Sequence, residues 1–497
     1  MFLMMISTIL SSALGFIGLV FMTRYLGLND FGEIAWALAT LTALNSFFDL
    51  GFGSAHVKRI SEGRDLGDCI STYARIKLIL TSLMVIVTII WIIIWINLLG
   101  GSLSSSAWNI FLLFLLCIVL SDLSTIATHT FIALQETAKT QLVVLIDPLI
   151  RVPLVIFALV SGMATNGVLI AYSIAAFAAF IVSMTLLFKE RIDWHRPTLF
   201  RSYLKFAIPL ATLPAIAAVS ANIDKITLGS FVSNEAVACF SSPQTLLAVV
   251  IGIGTSITLL AFPQFSKMYV DANIEGIREV TKQLERHITM IVIPIVTLVV
   301  FLPTEVCVAI FGAAFSPAGN AMRFLGIAVI PTMLNTVCAS QIIAANRPYI
   351  SVELSVLALI INTIMMLVFI PSSLFGIQML GLSFTGAAIA NMISVFVLFI
   401  AIRIVIWRLT RTALNKRILL HIASGIITGV FILELNTAYP LVGISSLFIF
   451  GIFTLIVYCI VMIVFRELRK EDIAFLLDMM NIRKMNKYMM DEFKNKK

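Results

Sequence analysis

Long apolar runs alternate with short polar interruptions from one end of this chain to the other. Stretches of about 18 to 25 apolar residues, enough for a helix to cross about 30 Å of hydrocarbon, set the rhythm. They lie over 4–23, 34–56, 76–98, 108–134, 141–161, 167–188, 203–230, 236–266, 287–311, 321–344, 349–371, 382–407, 418–435 and 441–465. A strand needs only about ten residues to span, so runs of this length predict helices. The expected fold is an all-α polytopic membrane protein with about fourteen transmembrane helices.

Composition agrees with the pattern: 60% of the 497 residues are hydrophobic, 12% are charged and the mean hydropathy is +1.05. Soluble domains carry about twice that share of charge, so the length makes spans and not a water-excluded globular core. No connecting segment exceeds about twenty residues, which leaves no room for a catalytic domain outside the membrane. Cys69, Cys117, Cys239, Cys307, Cys338 and Cys459 are scattered singly without a CxxC or Cys/His cluster, and read as small apolar packing residues with no metal site. Residues 1–23 lack the basic start of a signal peptide and read as the first span.

Charge then orients the spans. Roughly 30 of the 34 Lys and Arg fall in alternate connections or the C-terminal tail. The segments 57–77, 135–140, 189–205, 267–286, 345–348 and 408–417 carry them, whereas 97–107, 162–166, 231–235, 312–320, 372–381 and 436–440 carry none. Basic connections stay on the cytoplasmic side, which predicts a plasma-membrane protein with both termini in the cytoplasm. The net charge of +8 is accounted for by this asymmetry, and nucleic-acid binding is not implied. The exceptions are Arg24, Arg151, Lys225 and Arg323.

Two pairs of matching segments indicate an internal repeat. Leu26-Gly27 with Glu33 six residues beyond the glycine returns as Leu228-Gly229 with Glu235 six beyond, and Asn166-Gly167-Val168-Leu169-Ile170-Ala171 returns as Thr385-Gly386-Ala387-Ala388-Ile389-Ala390. Together they predict two pseudo-symmetric six-helix lobes, 1–190 and 191–410, followed by two additional helices within 411–465 and a basic cytoplasmic tail over 466–497. The tail mixes Arg469, Lys470, Arg483, Lys484 and Lys487 with Leu476, Leu477, Met479 and Met480, which suits either a helix on the inner leaflet or a disordered basic extension.

Arg24-Tyr25-Leu26-Gly27-Leu28-Asn29-Asp30-Phe31-Gly32 resembles the R-x-L-G-x-x-x-F-G signature of polysaccharide-type lipid-linked oligosaccharide flippases. These belong to the multidrug/oligosaccharidyl-lipid/polysaccharide (MOP) exporter superfamily. In order along the chain, Asp49-Leu50-Gly51-Phe52-Gly53, Ile223-Asp224-Lys225 with Leu228-Gly229, and Phe262-Pro263-Gln264-Phe265-Ser266 resemble further segments of that family. Phe311-Gly312, Ala345-Asn346-Arg347-Pro348 and Thr385-Gly386-Ala387-Ala388 do so as well. The resemblance implies two lobes around a central cavity. It also implies translocation of a polyprenyl- or dolichyl-diphosphate-linked oligosaccharide, a polysaccharide repeat unit, from the inner to the outer leaflet by alternating access, coupled to an ion gradient. The implied partners are that lipid-linked glycan, membrane lipids, H+ or Na+, and a glycan polymerase or glycosyltransferases, with no cofactor and no catalytic residue.

Charge inside a bilayer costs about 3 kcal/mol per group even on lenient scales, so the mid-span polar residues are the candidate site. Arg24, at the rim of the first span, either snorkels to water or offers a planar guanidinium to a diphosphate. Arg151 lies mid-span with Asp147 four residues before it, the spacing of an intrahelical pair, between Pro148 and Pro153. Asp224 and Lys225 are neighbours pointing about 100° apart, so they pair poorly with each other; Lys225 suits a lipid phosphate and Asp224 a proton or sodium ion. Asp49 and Asp122 stand singly in their spans, as ion-coupling groups or as protonated packing residues. Glu353 and Arg323 sit near span ends as interfacial anchors, Glu353 also being a charge-pair candidate. Asn45 and Asn222, with Asn335, Gln341, Asn362 and Asn391, offer hydrogen bonds to a saccharide or between helices.

Two other functions are compatible with a polytopic chain. An ion-coupled multidrug or metabolite exporter of the same superfamily is disfavoured by the motif at 24–32, and a membrane glycosyltransferase or polymerase by outward connections without acid/base groups. An ATP-driven pump needs a G-x-x-x-x-G-K-[ST] loop, which does not occur.

Overall fold

The computed structural model describes residues 2–49, 51–98, 105–190, 199–210, 212–374 and 376–468. The predicted tail over 466–497 lies outside the described residues from 469 onward. Six helices open the chain: α1 (Phe2–Asp49), α2 (Phe52–Ser61), α3 (Leu66–Leu98), α4 (Ser105–Ala133), α5 (Thr137–Val160) and α6 (Ala164–Lys189). Then follow α7 (Phe200–Leu210), α8 (Thr212–Phe231), α9 (Asn234–Val270), α10 (Ile274–Phe301), α11 (Pro303–Phe311) and α12 (Ala318–Ala344). The last four are α13 (Pro348–Phe369), α14 (Ser383–Thr410), α15 (Arg417–Ala438) and α16 (Gly443–Val464). Between α13 and α14 a two-residue hairpin pairs β1 (Ser373–Leu374) with β2 (Ile377–Gln378).

Among the described residues, twelve helices are long and apolar enough to cross a membrane. The first of them bends at Gly27, whose φ of 77° and ψ of 178° break α1 where the first and second predicted spans meet. An L-residue with a Cβ is strained there, and glycine is not. Counting both halves of α1 and adding α8, 20 residues long but outside those twelve, gives the fourteen spans expected.

Boundaries differ from the prediction in a consistent direction. The predicted inward segment 57–77 is mostly helix, because α2 runs to Ser61 and α3 starts at Leu66. The segment 267–286 shrinks likewise to the turn between α9 and α10, where Asn273 Oδ1 accepts a hydrogen bond from the Gly276 amide at 2.9 Å. Hydropathy marks the part of a helix that matches hydrocarbon, whereas backbone hydrogen bonding continues into water wherever a cap satisfies the first amides. Two predicted spans are also interrupted. The second breaks at Gly51, in the left-handed region (φ 67°), before α2 begins. The ninth restarts at Pro303, which opens α11 at a position where a helix has no use for the missing N–H.

By its internal contacts the chain forms two compact units. The first comprises Leu3–Leu246 with Ser355–Ser394. Its core packs Phe52 and Ala55 of α2, Ile70, Tyr73 and Ile76 of α3, and Ile126, Ala127 and Phe131 of α4 against Leu187 and Tyr203. The second comprises Leu247–Leu354 and the chain from Val395. There α10, α11, α15 and α16 close around Leu302, Ala309, Ile432 and Phe450, while Cys338 and Ile342 of α12 meet Ile402 and Ile406 of α14. All six cysteines are free thiols and five are buried, as packing residues should be.

Glu467, three residues beyond α16, ties the last helices to α10. Its Oε1 accepts from Arg286 Nε at 2.7 Å and Arg417 Nη1 at 2.9 Å, and Arg286 Nη2 also donates to its backbone carbonyl at 2.7 Å. Burial alone would raise the Glu467 carboxyl, but the hydrogen bonds from both arginines outweigh it and hold the pKa below the ordinary value. A depressed carboxylate pKa stabilises the fold above the unfolded pKa of about 4.3, and the contribution is lost as pH falls through the folded value. Glu467→Gln is therefore expected to cost about 1–3 kcal/mol at neutral pH, a deficit that closes on acidification. Thermal unfolding in detergent across pH checks this; a deficit constant down to pH about 3 would contradict it.

Candidate functional site

Of the candidate residues, Arg323, Asn335, Gln341 and Glu353 lie in the second unit and the others in the first. Asp49 and Asp122 do not stand singly as expected. Lys77 Nζ lies 2.7 Å from Asp49 Oδ1 and 2.6 Å from Asp122 Oδ1, so one ammonium joins the end of α1, α3 and α4. The sequence reading missed Lys77 by assigning it to the basic connection 57–77; in the fold it stands eleven residues into α3 with 1% of its side chain exposed. At 1.5 Å per residue that is about 16 Å from the start of the helix, and Asp122, equally far from the end of α4, stands near the middle of the apolar run 108–134, so the cluster lies within the spans. The available signal was the pair of unbalanced acids: two mid-span carboxylates called for a cation, and Lys77 lies at the edge of the apolar run beside them.

The members are held unequally. Asp122 is 6% exposed and its second oxygen accepts from Thr81, whereas Asp49 is 44% exposed at a helix end next to the Gly51 bend. A polar layer continues toward the turn between α2 and α3. Tyr73 Oη is 2.8 Å from His129 Nδ1, and His56 bridges Tyr203 Oη at 3.0 Å and Thr130 Oγ1 at 2.9 Å. Buried ring nitrogens need such partners, and these lock α2, α3, α4 and α7 together.

Arg151 and Asp147 pair as their spacing predicts, Nη2 to Oδ2 at 3.1 Å, with the guanidinium 4.8 Å from the Tyr172 ring centroid. Pro148 and Pro153 are both accommodated inside α5. The Arg151 Nε is buried and meets no acceptor, so the pair neutralises the charge but does not use the whole donor fork.

Asp224 is fully buried, and its Oδ1 accepts from Asn362 Nδ2 of α13 at 3.2 Å. Asp224 Oδ2 and Asn362 Oδ1 are both buried without a hydrogen-bond donor. Unsatisfied oxygens on two hydrogen-bonded residues are chemically able to take a proton or a small cation. The neighbouring Lys225 is half-buried, and among the described residues it forms no ion pair with Asp224, in keeping with their angular separation. Asn222 spends a donor on the Ala218 carbonyl at 2.9 Å. Asn45 is half-buried, Arg24 is exposed three residues before the Gly27 break, and Glu353 and Arg323 are exposed on α13 and α12.

The two copies of the Leu-Gly segment touch. Gly32 and Asn234, each five residues beyond its motif glycine, pack so closely that a Cβ on Gly32 would lie 1.8 Å from the Asn234 carbonyl oxygen. A Cβ on Gly229 would lie 2.3 Å from the Trp36 ring, which is seated edge-on to Phe111 at 5.3 Å. Asp30 of the same motif accepts from Thr165 at 2.8 Å, close to the start of α6. In the second unit a further buried pair escaped the sequence reading: Glu285 is ion-paired to Arg403 and accepts from the Asn415 amide at 3.3 Å.

The fold matches lipid II flippase MurJ in an inward closed conformation with a TM-score of 0.75 at 14% identity, over 94% of this chain and 99% of that one. It matches an inward-facing multidrug resistance MATE family transporter of the MOP superfamily with a TM-score of 0.65 at 17% identity, over 80% and 96%. In sequence the chain is 23% identical over 404 residues to the probable low-salt glycan biosynthesis flippase Agl15 of Haloferax volcanii, spanning 78% of this chain and 79% of the relative. The family model described as polysaccharide biosynthesis protein matches residues 1–269, more than half of the 497. With that match over a MOP-transporter fold, the chain belongs to the polysaccharide biosynthesis protein family.

Proposed function

We propose that this protein is a flippase that moves a polyprenyl- or dolichyl-diphosphate-linked oligosaccharide from the inner to the outer leaflet by alternating access. The observation that carries the reading is Arg151, a guanidinium about 20 Å into a span that keeps a buried N–H without an acceptor. Its planar fork suits phosphate oxygens, and Asp147 lowers the cost of keeping the charge there between transport events. Arg24 and Lys225 supply further positive charge at other depths of the same unit. A multidrug exporter shares the fold, but family membership and the glycan flippase among the relatives favour a lipid-linked saccharide.

Asp224 with Asn362 is the coupling group in this reading, taking a proton or sodium ion on its orphaned oxygens. The lobes 1–190 and 191–410 rock about each other, and the contact of equivalent positions Gly32 and Asn234 supports a common axis for them. The termini face the cytoplasm of the plasma membrane, and glycosyltransferases or a polymerase supply and consume the cargo.

Cells lacking the protein should accumulate lipid-linked glycan on the inner leaflet and lose surface glycan. Wild-type protein should restore display and Arg151→Gln should not, at equal abundance in the membrane. Full display with Arg151→Gln would remove Arg151 from the site; surface glycan unaffected by loss of the protein would overturn the proposed function.

A further inference from the structure

The Lys77 cluster has one more carboxylate than ammonium, and this excess decides what it can bind. A diphosphate is repelled by the surplus negative charge. A metal ion on Asp49 is opposed by an ammonium 2.7 Å from its Oδ1. A neutral hydrogen-bond donor meets neither obstacle. Asp49 is 44% exposed, and a carboxyl group inside a span faces a water-filled space and not lipid, since hydrocarbon would leave its free oxygen unsolvated. The break between α1 and α2 at Gly51 lies beside it, as discontinuous helices do at transporter binding sites. Asn45, half-buried four residues earlier in α1, shares its helix face and adds a second donor and acceptor.

We infer that Asp49 is a saccharide-binding residue, its carboxylate accepting hydroxyl hydrogens of the glycan, with Lys77 as the positioning residue that orients it. The inference rests on the flippase reading above and assigns the glycan and the diphosphate to different charged groups. Asp122, turned to Thr81 and buried, anchors Lys77 and does not touch the cargo.

The test uses full-length protein in proteoliposomes with two probes: lipid-linked glycan extracted from the source cells, and bare polyprenyl diphosphate. Asp49→Asn should slow translocation of the glycosylated lipid about tenfold or more, the value of a hydrogen bond to a charged group, and leave the bare lipid unchanged. Asp122→Asn should lower the yield of folded protein and leave the ratio of the two rates where it is in wild type. Equal slowing of both lipids by Asp49→Asn, or no slowing of either, would overturn the assignment, as would a changed ion dependence in place of a changed ratio. Wild-type protein that moves neither lipid would instead overturn the flippase reading and this inference with it.

Discussion

Lys77→Met is expected to strip most of the folded protein from the membrane. The substitution removes the only cation that this cluster holds among the described residues and leaves Asp122, 6% exposed, facing Asp49 without compensation. Breaking a buried ion pair from one side costs about 3–5 kcal/mol, a large part of the 5–15 kcal/mol that holds a typical fold. The loss comes from the orphaned charge more than from the missing contact. Removing both sides should therefore recover most of it: Lys77→Met with Asp122→Asn should restore yield and thermal stability toward wild type. Size-exclusion yield and unfolding temperature in detergent measure both variants. A stable Lys77→Met protein would mean that the carboxylates shed their charge without help from the ammonium.

Asp224→Asn should abolish acceleration of transport by an ion gradient while the protein folds normally. Asparagine keeps an oxygen for the Asn362 amide, so the 3.2 Å hydrogen bond survives. It cannot take a proton or offer a charge to sodium. Translocation in proteoliposomes under an imposed proton or sodium gradient should fall to the rate without a gradient, leaving downhill exchange intact. Gradient stimulation equal to that of wild type would place coupling elsewhere.

Much of this architecture is legible in the sequence because membrane spans are long and hydrocarbon tolerates few charges. The fourteen apolar runs, the Gly27 turn and the Asp147–Arg151 spacing can all be read directly. What could not be read is instructive. Lys77 opens one of the most apolar runs of the chain, so averaging over a window places it at a span's edge, yet α3 begins eleven residues earlier. Asp224 finds Asn362, 138 residues away, and nothing local in the sequence names that partner. The Gly51 break was hidden because hydropathy is blind to backbone dihedrals. Local periodicity and composition thus reveal helices and their charged exceptions, while the partners of those exceptions depend on tertiary packing.

The most direct measurement is leaflet translocation by the purified, reconstituted protein. Lipid-linked glycan placed in one leaflet should become accessible from the other in the absence of ATP, faster under a proton or sodium gradient, and no faster than in empty vesicles when Arg151 is replaced by Gln. Strict dependence on ATP, or wild-type vesicles indistinguishable from empty ones, would contradict the account.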